Sequence, residues 1–172
     1  MAKLYEYYNT GDDHFDAIYG TTWKAQTFTP SRGHKITSVK LLLFRLNSPG
    51  TLTVGIRATD VDGKPTGADL CSGTIDGDTL TTSTAGEWRE ITLGAGYDLS
   101  GSTKYAIVVR ATGGDGSNYV AIRDDETSPT YTSGNYLYST DSGSGWNSDT
   151  GKDFMFEDWG EFIGPLPTHF RQ

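Results

Sequence analysis

Apolar and polar residues alternate along Thr51-Leu52-Thr53-Val54-Gly55-Ile56-Arg57-Ala58-Thr59. A period of two is typical of a β-strand that is buried on one face and faces water on the other. The same period recurs in Thr103–Ala111. We therefore predict that both segments are strands and that their apolar residues of like parity share one core. These residues are Leu52, Val54, Ile56, Tyr105, Ile107 and Val109.

Similar short apolar runs, each closed by a Gly, Pro, Asn or Asp turn, recur along the rest of the chain. They predict further strands at Leu4–Tyr8, Thr22–Thr29, Lys35–Leu46, Asp69–Ile75, Gly86–Leu93, Tyr119–Arg123 and Asp153–Phe162. Asn9–Gly20 is predicted to be a loop, and Asp124–Gly151 a polar stretch. The apolar parity changes near Ser38, which predicts a β-bulge there.

One-sided alternation favours antiparallel sheets, and many short strands favour two sheets that pack face to face. We expect an all-β antiparallel sandwich of about eight to ten strands, with jelly-roll topology and essentially no helix. The length of 172 residues matches one domain. We assign residues 1–163 to this domain and residues 164–172 to a C-terminal tail that contains Pro165 and Pro167.

The net charge is −8, and the acidity is concentrated in the last third of the chain. Residues 111–170 contain ten Asp or Glu residues, but Arg123 and Lys152 are their only Lys or Arg residues. Phosphate binding needs a concentrated basic surface, and anionic membranes attract basic segments. We therefore expect neither a nucleic acid nor a membrane as partner.

The single cysteine, Cys71, excludes an intramolecular disulfide, and we expect it to be a buried, inert thiol. Glu6 and several tyrosines interrupt any apolar core at the N-terminus, so no secretory signal peptide is predicted. The expected location is a virus particle or an excised extracellular module, and otherwise the cytoplasm.

Catalytic signatures are largely missing from the sequence. There is no Gly-x-Ser-x-Gly elbow, no His-Glu-x-x-His motif and no phosphate-binding loop. The three histidines, His14, His34 and His169, are far apart in sequence and form no ligand pair. We therefore predict that the protein is not an enzyme and needs no cofactor.

A structural calcium ion is the one metal that the sequence suggests. Acidic residues occur near both ends of the domain, and the terminal strands of a sandwich often lie close together. Calcium prefers such oxygen ligands. The predicted ligands are Asp12, Asp13, Asp16, Asp153 and Glu157.

The segment Asp124–Asp153 combines aromatic rings with carboxylates and amides. A sugar requires this combination, because its C–H face stacks on a ring while its hydroxyl groups form hydrogen bonds. The predicted ligand-binding residues are Tyr131, Tyr136, Tyr138, Asp141, Trp146 and Asn147. Alternatively, the aromatic residues form core or cross-strand contacts. Trp146 is the preferred anchor, since its polar loop offers no obvious core, and the local acidity favours a neutral or cationic ligand.

Several stretches resemble a β-sandwich family that is widespread in environmental, phage and bacterial surface sequences. They are Ala25–Ser31, Ile36–Leu41, Pro49–Val54, Gly63–Gly67, Trp88–Ile91 and Tyr105–Val109, and the resemblance spans roughly residues 22–160. Such modules are similar to jelly-roll carbohydrate-binding and galactose-binding-like domains. The resemblance implies a non-catalytic role in binding or in architecture.

Two functions follow as hypotheses. The first is a binding module that recognises a carbohydrate or a cell-surface glycan. The second is a structural virus-particle protein, such as a head decoration or a tail component, whose partners are other protein subunits. A homo-oligomer is compatible with either hypothesis.

Overall fold

The computed structural model describes residues 1–164, so the predicted tail lies almost entirely outside the described residues. These residues form thirteen strands and one short 3-10 turn, Gly77–Thr79. None of the described helical structure is long and apolar enough to cross a membrane. The strands are β1 (Lys3–Tyr8), β2 (His14–Ile18), β3 (Trp23–Phe28), β4 (His34–Leu46), β5 (Thr51–Thr59), β6 (Pro65–Asp76), β7 (Glu87–Leu99), β8 (Tyr105–Arg110), β9 (Tyr119–Asp125), β10 (Tyr136–Ser139), β11 (Asn147–Asp149), β12 (Asp153–Phe154) and β13 (Phe156–Phe162).

The strands form two antiparallel sheets, which confirms the predicted all-β sandwich. One sheet has seven strands in the order β1-β13-β4-β9-β12, with β2 paired to β9 and β7 paired to β4. The other has six strands in the order β11-β10-β3-β8-β5-β6. The strand number exceeds the predicted eight to ten for two reasons. β2, β10 and β11 lie in segments predicted to be loop or polar stretch, and the predicted strand Asp153–Phe162 is divided into β12 and β13.

The core between the two sheets contains the residues that alternation selected. Leu52, Val54, Ile56, Ile107 and Val109 are fully buried, and Tyr105 is 7% exposed, so the prediction for all six is confirmed. Strands of the opposite sheet contribute the facing side chains, including Val39, Leu41 and Ile91. Alternation therefore assigned the correct face to both strands.

The predicted β-bulge in β4 is confirmed. The register against β7 shifts between Ile36 and Ser38, where Thr37 and residues 93–96 of β7 have no partners in that ladder. The register against β13 shifts at the same place, where Ser38 faces Trp159 and Ile36 faces Gly160. Ile36 and Val39 are three positions apart, so in a regular strand they would face opposite sides. The extra residue of the bulge lets both side chains point into the core.

A second, smaller cluster covers the outer face of the six-stranded sheet. It consists of Ala25, Ala106, Val108, Leu137 and Trp146, with Trp23 packed against it. Trp146 is only 6% exposed, so the expectation that its loop offers no core for the ring is wrong. Gly143 explains how the loop lies so close to the sheet: it has φ +81°, and a Cβ there would come within 2.8 Å of the Trp23 ring.

Candidate functional site

A depression that combines tyrosine rings with charged side chains lies where β10 and β11 extend the six-stranded sheet at its edge. Tyr138 faces Asn147 across one strand pair and Lys24 across the other, so all three side chains lie on the same face. The depression has a volume of about 280 Å³ and is called the edge cleft below. Its lining residues are Asp16, Lys24, Tyr136, Tyr138, Asp149 and Lys152.

The two tyrosines of the edge cleft have different roles. Tyr136 is 1% exposed, and its hydroxyl donates a 2.6 Å hydrogen bond to Asp16 Oδ2. Burial and the charge of Asp16 raise the pKa of Tyr136 well above its usual range, which keeps the hydroxyl a neutral donor. Tyr138 is half-buried and therefore offers the accessible ring of the cleft. The Lys24 ammonium lies 5.5 Å from the centre of that ring, which is within cation–π range.

Asp16 contacts three of the other residues that line the edge cleft. Its carboxylate lies 3.4 Å from Lys24 Nζ and 3.1 Å from Lys152 Nζ, in addition to the hydrogen bond from Tyr136. Burial alone would raise the pKa of Asp16, but the Tyr136 hydrogen bond and the two lysine charges outweigh it and lower the pKa to about 2. Asp16 is therefore ionised throughout the physiological range.

Asp124 lies next to Asp16, and its side chain has no exposed surface. Its Oδ1 is 3.1 Å from His14 Nδ1, whereas its Oδ2 is buried and has no hydrogen-bond partner among the described residues. Burial, followed by the nearby charge of Asp16, raises the pKa of Asp124 to about 8. The pKa values of the two neighbouring carboxyl groups are thus shifted in opposite directions, because only Asp16 is surrounded by donors and cations.

The predicted ligand-binding residues separate into three places. Tyr136 and Tyr138 line the edge cleft, and Asn147 faces Tyr138 across the β10–β11 pair. Trp146 lies on the outer face of the same sheet, and Asp141 fixes the turn before it by accepting hydrogen bonds from Ser139 Oγ and the Gly145 amide. Tyr131 packs against the main core, where its ring meets Phe156 edge to face.

The five residues predicted to bind calcium have separate protein partners. Asp12 pairs with Arg123, and Asp13 accepts a hydrogen bond from the Glu126 amide. Asp153 accepts hydrogen bonds from Gln26 and the Tyr131 amide, and Glu157 from Asn9 and Trp159. The terminal strands do pair, as β1 with β13. However, within residues 1–164 Asp16 alone of the five belongs to a cluster of three metal-ligand residues, and its companions there are His14 and Asp124.

Sequence reasoning missed His14 and Asp124. The sequence does contain a signal for strand β2, because His14, Asp16 and Ile18 occupy alternate positions and therefore share one face. Ile18 on that face is fully buried. His14 faces Asp124 across the pairing of β2 with β9, 110 positions away in the chain. That pairing depends on the fold and leaves no local mark in the sequence.

A second depression, of about 320 Å³, lies on the outer face of the six-stranded sheet. It is lined by Arg57, Asp60, residues 64–67 and residues 143–146. Arg57 and Arg110 both pair with Asp69, and both guanidinium groups lie over the Trp23 ring at 5.6 and 5.4 Å. The guanidinium group of Arg57 in this groove is therefore already held by protein groups.

Comparison with known proteins gives a likeness of fold. No protein-family model matches the chain, and no curated protein sequence matches it. The chain is similar to a structure of the cysteine protease and lectin-like domains of Cwp84, a surface layer associated protein of Clostridium difficile. The TM-score is 0.57 and the identity 14%, over 94% of this chain and 36% of that chain.

A second structure, clostridial Cwp84 after propeptide cleavage, also has a TM-score of 0.57, with 17% identity over 94% of this chain and 40% of that chain. This chain thus spans less than half the length of either structure. At these identities the likeness shows a shared β-sandwich fold.

Proposed function

We propose that this protein is a non-catalytic binding module that recognises a carbohydrate at the edge cleft. The observation that carries the proposal is the accessible ring of Tyr138 beside fixed donors and acceptors in one depression. Rings of this kind stack on the C–H face of a sugar, and convergent polar groups fix its orientation. The volume of about 280 Å³ is at the low end for small-molecule sites and suits one sugar unit.

Each lining residue has a distinct role in this proposal. Tyr138 supplies the stacking surface, and Asn147, which faces it across the strand pair, supplies both a donor and an acceptor. Asp149 accepts hydrogen bonds from sugar hydroxyls, while Lys152 donates them. Tyr136 forms the buried floor and holds Asp16 in place.

The charges of the cleft favour a neutral ligand. Lys24 and Lys152 balance Asp16 and Asp149 within the lining, and Asp124 and Glu126 lie just behind it. These acidic groups would repel a sulfated or uronic polymer. Binding should therefore depend only weakly on salt, because no large counterion release accompanies it.

The fold likeness adds support by analogy only. One of the similar structures contains a lectin-like domain together with a cysteine protease domain, in a surface layer associated protein. Fold alone does not determine function, so the weight rests on the lining of the cleft.

A glycan hydrolase is the second candidate, and the Asp16–Asp124 pair favours it. Two neighbouring carboxyl groups with pKa values of about 2 and about 8 could serve as base and acid. However, the Asp124 side chain has no exposed surface, and Asp16 already accepts contacts from Tyr136, Lys24 and Lys152. A substrate atom could not reach Asp124 without displacing these groups, so we favour binding over hydrolysis.

A glycan array probed with the labelled full chain tests the proposal. We expect selective retention of a small set of neutral glycans, and the retained glycans should be recovered chemically unchanged. Retention of no glycan, or retention ordered by negative charge, would contradict the proposal. Release of shortened products by the repurified protein would support the hydrolase instead.

A further inference from the structure

A cluster of nitrogen and oxygen donors lies beside the edge cleft, between β2 and β9. We propose that His14, Asp16 and Asp124 bind a divalent transition-metal ion of the zinc class. The proposal does not depend on carbohydrate recognition. It replaces the calcium site expected from the acidic termini with a different ligand set and a different kind of ion.

The strand pairing brings the three ligands together. His14 faces Asp124 across the antiparallel β2–β9 pair, and Asp16 lies two residues further along β2, on the same face. One potential ligand atom from each residue lies within 4.8 Å of the other two. An extended pair of strands holds these side chains with little freedom, as a preformed site requires.

Asp124 supplies an independent indication of a cation site. Its side chain is fully buried, yet Oδ2 has no hydrogen-bond partner among the described residues. A buried polar oxygen without a partner is costly. The Lys152 ammonium lies 4.0 Å from that oxygen, which is beyond hydrogen-bond distance. A metal ion bound to this oxygen would satisfy it.

The surroundings of His14 point the same way. Its Nδ1 lies 3.1 Å from Asp124 Oδ1 and 3.1 Å from Glu126 Oε2, although one N–H group can point at only one of them. Zinc bonds of about 2.0–2.2 Å place neighbouring ligand atoms roughly 3 Å apart. The distance from His14 Nδ1 to Asp124 Oδ1 is close to this spacing.

The donor types select the ion. Calcium takes about six to eight oxygen ligands, and this cluster offers an imidazole nitrogen with a few carboxylate oxygens. Imidazole together with carboxylate is a ligand set of zinc and of neighbouring first-row metals. The His14 side chain is 43% exposed, so an ion there has an open path to water for its remaining positions.

The Lys152 ammonium would compete with a metal ion for the same carboxylates. Its ammonium lies 3.1 Å from Asp16, 3.4 Å from Glu126 and 4.0 Å from Asp124, in the middle of the carboxylates. A metal ion must displace this ammonium from the carboxylates. Removal of the ammonium should therefore strengthen metal binding.

The test is a calorimetric titration of the chelator-treated full chain with Zn²⁺, repeated with Co²⁺ as a spectroscopic probe. We expect one equivalent to bind and the bound Co²⁺ to show visible absorption bands. His14→Gln and Asp124→Asn should each weaken binding at least tenfold. Lys152→Met should strengthen it at least tenfold. Asp98→Asn, at an exposed carboxylate of β7, should bind like the unaltered chain.

Circular dichroism melting of each variant verifies the fold, and His14→Gln is the safer variant because His14 is partly exposed. Absence of Zn²⁺ binding by the unaltered chain would overturn the proposal, even if Lys152→Met bound the ion. Unweakened binding by folded His14→Gln would also overturn it, because the ion would then lie elsewhere. Glycan retention in the presence of chelator tests the carbohydrate proposal separately.

Discussion

Asp124→Asn should change how the stability of the protein depends on pH. The pKa of Asp124 is raised from its ordinary 3.8 to about 8 in the folded chain, first by burial and then by the charge of Asp16. Between these two pH values the folded chain holds a proton that the unfolded chain has lost. The free energy of unfolding therefore falls as pH rises from about 4 to 8. An asparagine has the same shape and does not titrate, so this fall should disappear.

The size of the effect follows from the pKa shift. One pKa unit corresponds to about 1.4 kcal/mol, and a window from pH 5 to pH 8.5 spans about three units of the raised titration. The unaltered chain should lose on the order of 4 kcal/mol more than Asp124→Asn across this window. Asp16, whose pKa is lowered to about 2, acts in the opposite direction, but its stabilisation is lost only as pH falls from about 4 to 2.

Urea unfolding followed by tryptophan fluorescence, with chelator at both pH values, measures this difference. The chelator removes any metal ion that would hold Asp124 ionised. Asp98→Asn serves as the matched control, since it removes an exposed carboxylate far from the cluster, and its profile should follow that of the unaltered chain. Parallel profiles for Asp124→Asn and the unaltered chain would refute the raised pKa and the electrostatic account built on it.

Three further predictions concern packing and reactivity. Ile107→Ala should destabilise the protein by about 2–5 kcal/mol in urea unfolding, because Ile107 is fully buried and the change leaves a cavity; a near-neutral result would mean that the core face of β8 is misassigned. Trp146→Ala should cost about 3 kcal/mol and lower the melting temperature, since its ring closes the outer cluster. An unchanged melting temperature would mean that the Trp146 ring does not stabilise the outer cluster. Cys71 should react slowly with iodoacetamide at pH 8, because burial, with the charges of Asp69 and Asp158, raises its thiol pKa to about 12; alkylation at the rate of a free thiol would contradict this.

The strands that sequence predicted best are those with one fully buried face. In β5 and β8, alternation identified the residues that face the core between the sheets, although it did not select Ala106 and Val108, which are buried in the outer cluster. In β4 a parity change located the bulge at Thr37. Alternation works best in β5, where buried apolar residues alternate with more polar ones. It failed for β10 and β11, because these strands have only four and three residues, too few for a period of two to stand out.

The candidate site was only partly predictable for the same physical reason. Aromatic composition pointed to Tyr136 and Tyr138, and both line the edge cleft. It misjudged Trp146, because the second cluster on the outer face is built from small residues such as Ala25 and Ala106, which give no strong apolar pattern. The His14–Asp124 contact depends on strand pairing over long sequence separation, and no local spacing predicts it.

Carbohydrate recognition at the edge cleft is most directly tested by isothermal titration calorimetry with the neutral glycan that the array selects. Tyr138→Ala removes the accessible ring, and Tyr7→Ala is its matched control at an exposed tyrosine of β1. We expect Tyr138→Ala to weaken binding at least tenfold while the chain stays folded, and Tyr7→Ala to bind like the unaltered chain. Equal affinity of folded Tyr138→Ala and the unaltered chain would contradict the assignment of the edge cleft as the glycan site.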